Sequence, residues 1–208
     1  MTGPLLLWLV VQLVALLVPA VRVPLAAKYP DPEELQALRV MVSMQVAAGS
    51  LLFPVLMANR GTAAAVVATA WPFQMLATAL SATPLQQAMA PALYVTAWLA
   101  SLVLWRASLP LAQGWAWGVA VASVLAVGGA ALWYLRVEFV PGGDVTAAWF
   151  GPLVAGLQGT PSSSLLGAAW LWPLASASAA AATLFGRRVI DRRARALRHS
   201  PPSHLPPL

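Results

Sequence analysis

Six long apolar runs occupy most of this chain, and almost all charged residues lie between or after them. The runs cover residues 5–21, 38–57, 62–82, 89–105, 111–135 and 164–185. A helix needs about 20 apolar residues to cross roughly 30 Å of hydrocarbon, and these runs approach or reach that length. Hydrophobic residues make up 60% of the chain, charged residues 9%, and the mean hydropathy is +0.76. The sequence therefore predicts an all-α, polytopic transmembrane helical bundle of about six spans.

The segments between the runs carry turn-forming and charged residues and are not linkers between domains, including the long stretch 136–163. We therefore expect one transmembrane helical domain over residues 1–185 and a basic, proline-rich cytoplasmic tail over residues 186–208. Residues 147–157 form an apolar stretch that is too short to span, which predicts a re-entrant or interfacial helix between spans 5 and 6. The alternative for this stretch is a surface lid.

Basic residues indicate which side of the membrane each end of the chain occupies. The apolar runs are followed by the tail arginines Arg187, Arg188, Arg192, Arg193, Arg195 and Arg198. Because basic flanks stay cytoplasmic, an even number of spans predicts that both termini are cytoplasmic and that Arg60 and Arg106 lie on the same side. Arg22, Lys28 and Arg39 fall on the opposite side and are the exception. Abundant arginine and alanine with a single lysine indicates a GC-rich genome and favours a bacterial inner membrane as the location.

The arginine run has a helical pattern of its own. Apolar residues recur at helical spacing (Val189, Ile190, Ala194 and Leu197), which predicts that the last helix continues into the tail. Asp191 and Arg195 stand four residues apart, a spacing that suits an ion pair. The arginines are interpreted either as topology determinants alone or as contacts to anionic lipid or an acidic partner. Nucleic acid is not an expected partner, because the charge directly follows an apolar run.

Residue types that carry chemistry are missing from the middle of the runs. Acidic, basic and histidine side chains are absent there, both histidines lie in the tail, and the chain has no cysteine. Proton relays, metal centres and haem ligation all need such groups within the spans. We therefore expect no catalytic, cofactor-binding or metal-binding residues and no enzyme activity carried by this chain alone; the alternative is an enzyme whose partner subunits supply the active site.

Amides and prolines are the notable residues inside the spans. Gln12, Gln45 and Gln74 are costly against lipid, so they should either form hydrogen bonds between helices or line a path for a solute. Helix kinks are expected at Pro19, Pro54, Pro72 and Pro173.

The tryptophans divide into two groups by their positions in the runs. Four of them flank the fourth and fifth runs, which suggests an interfacial belt: Trp105, Trp115, Trp117 and Trp133. Four others lie deeper, where core packing is expected: Trp71, Trp98, Trp170 and Trp172.

Two functions fit these features. The favoured one is a noncatalytic integral membrane subunit that packs into a larger bacterial inner-membrane assembly, of a transport or respiratory kind. The alternative is a permease, or half of one, for a small or apolar solute, with kinked helices and intramembrane glutamines along its path. The expected partners are membrane lipids and other membrane protein subunits, and no cofactor is expected.

Overall fold

The structure is a computed structural model that describes residues 2–26, 37–80, 85–124 and 171–198. Within these ranges the regular secondary structure is entirely helical, which confirms the all-α prediction there. The helices are α1 (Thr2–Ala26), α2 (Ala37–Leu56), α3 (Arg60–Leu80), α4 (Leu85–Ser108), α5 (Leu111–Ser123) and α6 (Leu171–Arg198). The predicted re-entrant or interfacial stretch 147–157 and residues 199–208 lie outside the described residues.

Each apolar run overlaps a helix, and several helices continue past the end of their run. Residues 125–135 of the fifth run and 164–170 of the sixth run lie outside the described residues. For example, α4 begins at Leu85, because the polar residues Gln86 and Gln87 suit a helix although they are not apolar. In the described part of the chain, two helical segments are long and apolar enough to cross a membrane, Arg60–Leu80 and Met89–Ser108. Two shorter apolar segments, Gly3–Val18 and Val40–Leu56, accompany them.

Helix α2 lies at the centre of the bundle and contacts α1, α3, α4 and α5, whereas α6 packs on α4. Ala15 in the second half of α1 lies in one cluster with Ala37 at the start of α2 and Ala77 near the end of α3, whereas Gln12, one turn earlier in α1, bonds Gln45 farther along α2. Neighbouring helices α1 and α2 are therefore antiparallel, as are α2 and α3. The main core contains Trp8, Val46, Phe53, Leu56, Val66, Val95, Leu99 and Leu102.

The turn between α2 and α3 is fixed by Asn59. Its side-chain Oδ1 accepts hydrogen bonds from the backbone N–H of Thr62 at 2.8 Å and from the Thr62 hydroxyl at 2.9 Å. An asparagine before a helix satisfies one of the first N–H groups, so this contact fixes where α3 starts. The cap also places Arg60 at the end of the bundle where α2 finishes.

Two glycines allow α5 to approach α2 closely. A Cβ atom built on Gly118 would lie 3.0 Å from the carbonyl oxygen of Ser50 and 3.2 Å from that of Leu51. A Cβ atom on Gly114 would lie 3.6 Å from the Pro54 ring. Pro54 has no N–H to bond the Ser50 carbonyl four residues earlier, and the Gly118 backbone covers that carbonyl. Glycines four residues apart are a common close-packing face of apolar helices.

Gly118→Ala should destabilise the fold by about 1–3 kcal/mol, because the new methyl group meets backbone oxygens that cannot turn away. Gly186→Ala is the matched control, since a Cβ atom there meets nothing within 4 Å. The free energy of unfolding of both variants can be measured in detergent with denaturant. Equal stability of the two variants would show that α5 does not pack on α2 through Gly118.

Candidate functional site

The three glutamines predicted from the sequence meet at the junction of α1, α2 and α3, and all three are fully buried. Gln45 Nε2 donates to Gln12 Oε1 at 2.6 Å, and Gln74 Nε2 donates to Gln45 Oε1. Gln45 Nε2 also donates to the backbone oxygen of Ala70 at 3.2 Å. We call Gln12, Gln45 and Gln74 the glutamine ladder, because one amide from each helix is linked to the next.

The Ala70 carbonyl sets the direction of the glutamine ladder. A carbonyl oxygen only accepts hydrogen bonds, so the Gln45 group that faces it must be the NH₂ group. The Gln45 oxygen then faces Gln74 and accepts a hydrogen bond from the Gln74 NH₂ group. The second N–H of the Gln45 NH₂ group donates to the oxygen of Gln12. The sequence predicts interhelical hydrogen bonds as one of two roles for these glutamines, and the geometry provides those bonds.

Two atoms at the ends of the glutamine ladder have no hydrogen-bond partner among the described residues, Gln12 Nε2 and Gln74 Oε1. The indole N–H of Trp8, one helical turn before Gln12, is likewise buried and unpartnered. A buried donor or acceptor without a partner costs about 1–3 kcal/mol. The ladder is therefore a polar cluster that is satisfied at its centre, on Gln45, and open at both ends.

The helix prolines lie at different positions relative to this site. Pro72 lies inside α3, between Ala70 and Gln74, the two α3 residues that bond to Gln45. Pro54 lies inside α2. Pro173 is buried as the third residue of α6. Pro19 lies within α1, although its side chain is outside the described part. The kinks expected at these prolines remain predictions. Pro91, inside α4, is a further helix proline that the sequence analysis does not single out.

Helices α4 and α6 are joined by a row of polar contacts. The Ser101 and Ser176 hydroxyl oxygens lie 3.0 Å apart, and Trp105 Nε1 donates to Ser176 Oγ at 3.1 Å. The Ser101 hydroxyl donates to the Trp98 carbonyl at 2.8 Å, so its single proton is used and Ser176 is the donor to Ser101. At the end of α4, Nη1 of Arg187 donates to the Ser108 carbonyl. Helix α6 therefore runs parallel to α4.

The structure confirms that the last helix continues through the arginine run as far as Arg198. Arg187 contacts the end of α4, which brings α6 to the same end of the bundle as Arg106 and Arg60. The arginines that follow are exposed: Arg188, Arg192, Arg193 and Arg195. Arg198 ends the helix, and its side chain lies outside the described part. Arg195 Nε donates to the backbone carbonyl of Asp191 at 3.4 Å, so its contact is to the main chain instead of the expected carboxylate.

A cavity of about 360 Å³ lies between α4, α5 and α6. We call it the tryptophan cavity; its lining residues are Trp98, Trp105, Trp117, Ala120, Val121, Val124, Trp172, Ala175 and Ser176. The rings of Trp105 and Trp117 pack at a centroid distance of 4.6 Å. Trp98 is buried as predicted, but Trp172 is 38% exposed and lies at the cavity instead of in the core. The sequence alone does not predict this cavity, although the seven-residue spacing places Trp98 and Trp105 on one face of α4.

Two remaining tryptophans can be placed in the described residues. Trp71 Nε1 donates to the Thr96 hydroxyl at 2.9 Å and so bridges α3 and α4. Trp115 is 37% exposed, as a belt residue would be. Trp133 and Trp170 lie outside the described residues.

Among the described residues, no group of three or more His, Cys, Asp or Glu side chains could hold a metal ion. Comparison of the chain with models of protein families, with curated proteins and with solved structures finds no match.

Gln45→Leu should cost about 2 kcal/mol, because it removes three hydrogen bonds worth roughly 0.6 kcal/mol each between apolar helices. Gln12→Leu removes one such bond and should cost about 0.6 kcal/mol. Replacing Gln12, Gln45 and Gln74 together by leucine should recover much of the loss, since no amide is then left without a partner. Detergent unfolding of all three variants measures these differences. If the triple variant loses as much stability as the separate changes combined, the glutamines act independently.

Proposed function

We propose that this protein is a noncatalytic integral membrane subunit that packs into a larger assembly in a bacterial inner membrane. In this proposal the six apolar runs cross the membrane, both termini are cytoplasmic, and the complex serves transport or respiration. The partners are membrane lipids and other membrane subunits. The two long apolar helical segments, Arg60–Leu80 and Met89–Ser108, support the membrane part of the proposal.

The observation that carries the subunit proposal is the exposed apolar face of α6. One stripe of this helix, including Ser176, Ala180 and Arg187, lies toward α4. The opposite stripe is exposed, with Leu174 at 60% and Phe185 at 70% exposure and the small residues Ser178 and Ala181 between them. Small residues between two large apolar ones let a second helix approach closely. This face suits a helix of a partner subunit.

The state of the glutamines also bears on the choice of function. A permease path would require their amides to face a wet cavity, whereas the ladder uses the central amide to join three helices. The free ends of the ladder, Gln12 Nε2 and Gln74 Oε1, are the feature that favours the alternative, a permease or permease half. Water access to this site separates the two functions without knowledge of the solute.

The chain has no cysteine, so a single introduced thiol reports access directly. Gln74→Cys in membrane vesicles should not react with a water-soluble thiosulfonate reagent, because the residue is fully buried. Gly61→Cys, at an exposed position at the start of α3, is the control and should react. Rapid modification of Gln74→Cys in folded protein would support the permease instead.

The distribution of arginines predicts the orientation of the bundle. Arg60, Arg106 and Arg187 lie at one end, followed by the exposed arginines of α6. By the positive-inside rule this end should be cytoplasmic. An impermeant maleimide applied to intact cells should therefore spare Gly61→Cys and label Gly142→Cys, in the loop that the sequence places outside. The reverse pattern would invert the topology.

Ala181→Trp tests the partner surface on α6. The bulky side chain should reduce copurification of partner subunits from gently solubilised membranes, because it fills the space that a partner helix would occupy. Ala64→Trp, at an exposed alanine of α3, is the matched control. Monodisperse wild-type protein without stoichiometric partners would contradict the subunit proposal.

A further inference from the structure

Two arginines converge on the end of α4. Nη1 of Arg106 donates to the carbonyl of Leu109 at 3.3 Å. Nη1 of Arg187 donates to the carbonyl of Ser108, the residue before Leu109. These consecutive carbonyls hold two guanidinium groups at one point, where the negative end of the helix dipole favours cations. A guanidinium has five N–H donors, and the hydrogen bonds to these carbonyls use only the Nη1 group of each arginine. The pair therefore keeps N–H donors for an anion.

The tryptophan cavity reaches the last turn of α4 before the arginine pair. Trp105 precedes Arg106 in α4, and Trp98 lies seven residues earlier, about 10 Å along the helix. The cavity of about 360 Å³ therefore extends from the arginine end toward the middle of the bundle. Its rim residues Val124 and Ala175 are exposed, so it opens on the side of the bundle between α5 and α6.

The lining of the cavity favours hydrocarbon. Trp98 Nε1 donates to Ser50 Oγ and Trp105 Nε1 donates to Ser176 Oγ, so two of the four indole N–H groups at the cavity are already engaged. Ser176 is in turn engaged by Ser101. A guest with buried carbonyl or hydroxyl groups would find few donors to replace its hydrogen bonds to water. An alkyl chain loses none and gains contact with the indole rings.

We propose that an anionic phospholipid binds between α4 and α6, with its phosphate on Arg106 and Arg187 and one acyl chain in the tryptophan cavity. The proposal rests on the membrane insertion put forward above. In that orientation the arginine pair lies at the level of cytoplasmic headgroups, and the cavity lies at the depth of the acyl chains. Charge and shape thus select one molecule that has both an anionic group and a hydrocarbon chain.

The test uses wild-type protein in two sets of liposomes. Each set contains a trace of a probe lipid that carries a photoreactive diazirine at the middle of one acyl chain. The probe is a phosphatidylglycerol in one set and a phosphatidylcholine in the other. After irradiation, adducts should map to peptides that contain Trp98, Trp117 or Trp172, with phosphatidylglycerol strongly preferred. Replacement of either Arg106 or Arg187 by Gln should lower that preference roughly fivefold, whereas Arg188→Gln, the matched loss of charge, should change it far less.

A second pair of variants tests the cavity itself. Ala120→Phe places a ring in the cavity and should abolish these adducts for both lipids, whereas Ala116→Phe, one turn earlier on α5 and outside the cavity, should leave them unchanged. Equal labelling by the two lipids would overturn the proposal. So would an Ala120→Phe protein that labels normally. Because the reactive group is on the chain, free phosphate at the arginines gives no adduct and also counts against it.

The same experiment separates this proposal from the proposed function. Adducts confined to other helices, in protein that resists extraction by alkaline carbonate, would overturn the lipid site and leave membrane insertion intact. Protein that carbonate extracts and that gains no adduct would contradict both.

Discussion

The amide of Gln45 is the interaction on which the arrangement of α1, α2 and α3 depends. It is fully buried, and apolar surroundings offer nothing else that could satisfy its N–H and C=O groups. Its partners come from both neighbouring helices, Gln12 on α1 and Ala70 and Gln74 on α3. Apolar packing alone tolerates small rotations of a helix, but these hydrogen bonds do not, because their geometry is directional. The glutamine ladder thus fixes which face each helix turns toward the others.

Ser50 plays a corresponding part on the other side of α2. Its hydroxyl donates to the Val46 carbonyl at 2.7 Å and accepts from Trp98 Nε1 at 3.0 Å, which ties α2 to α4. Its carbonyl, which Pro54 leaves without an intrahelical donor, lies under the backbone of Gly118 on α5. One residue therefore orients both helices, and it also sets the position of Trp98 at the tryptophan cavity. The position of Trp98, and with it one wall of the cavity between α4, α5 and α6, therefore depends on Ser50.

The sequence predicts the helices well because their positions depend on composition and length alone. It also predicts that Gln12, Gln45 and Gln74 bond between helices or face a cavity, since an amide among apolar residues needs a partner. The choice of partner depends on helix rotation, which the Ala70 carbonyl decides and no spacing in the sequence reveals. The same holds for Trp105 and Trp117: both flank apolar runs like belt residues, yet their rings meet across α4 and α5. The sequence does not distinguish Arg187 from the other tail arginines, because its contact with Ser108 depends on the parallel packing of α6 on α4.

The contact of Arg187 with Ser108 also explains how α6 can carry so many like charges. Neighbouring arginines on one helical face, such as Arg188 and Arg192, repel each other and disfavour a free helix. The preceding part of α6 is already held against α4, so the arginine run extends an existing helix and does not have to nucleate one. The residues after Arg187 then project about 16 Å past the end of α4 as far as Arg198. In the proposed orientation the first arginine meets lipid headgroups, and the later ones extend beyond a Debye length of roughly 8 Å, where the attraction of the membrane surface is largely screened.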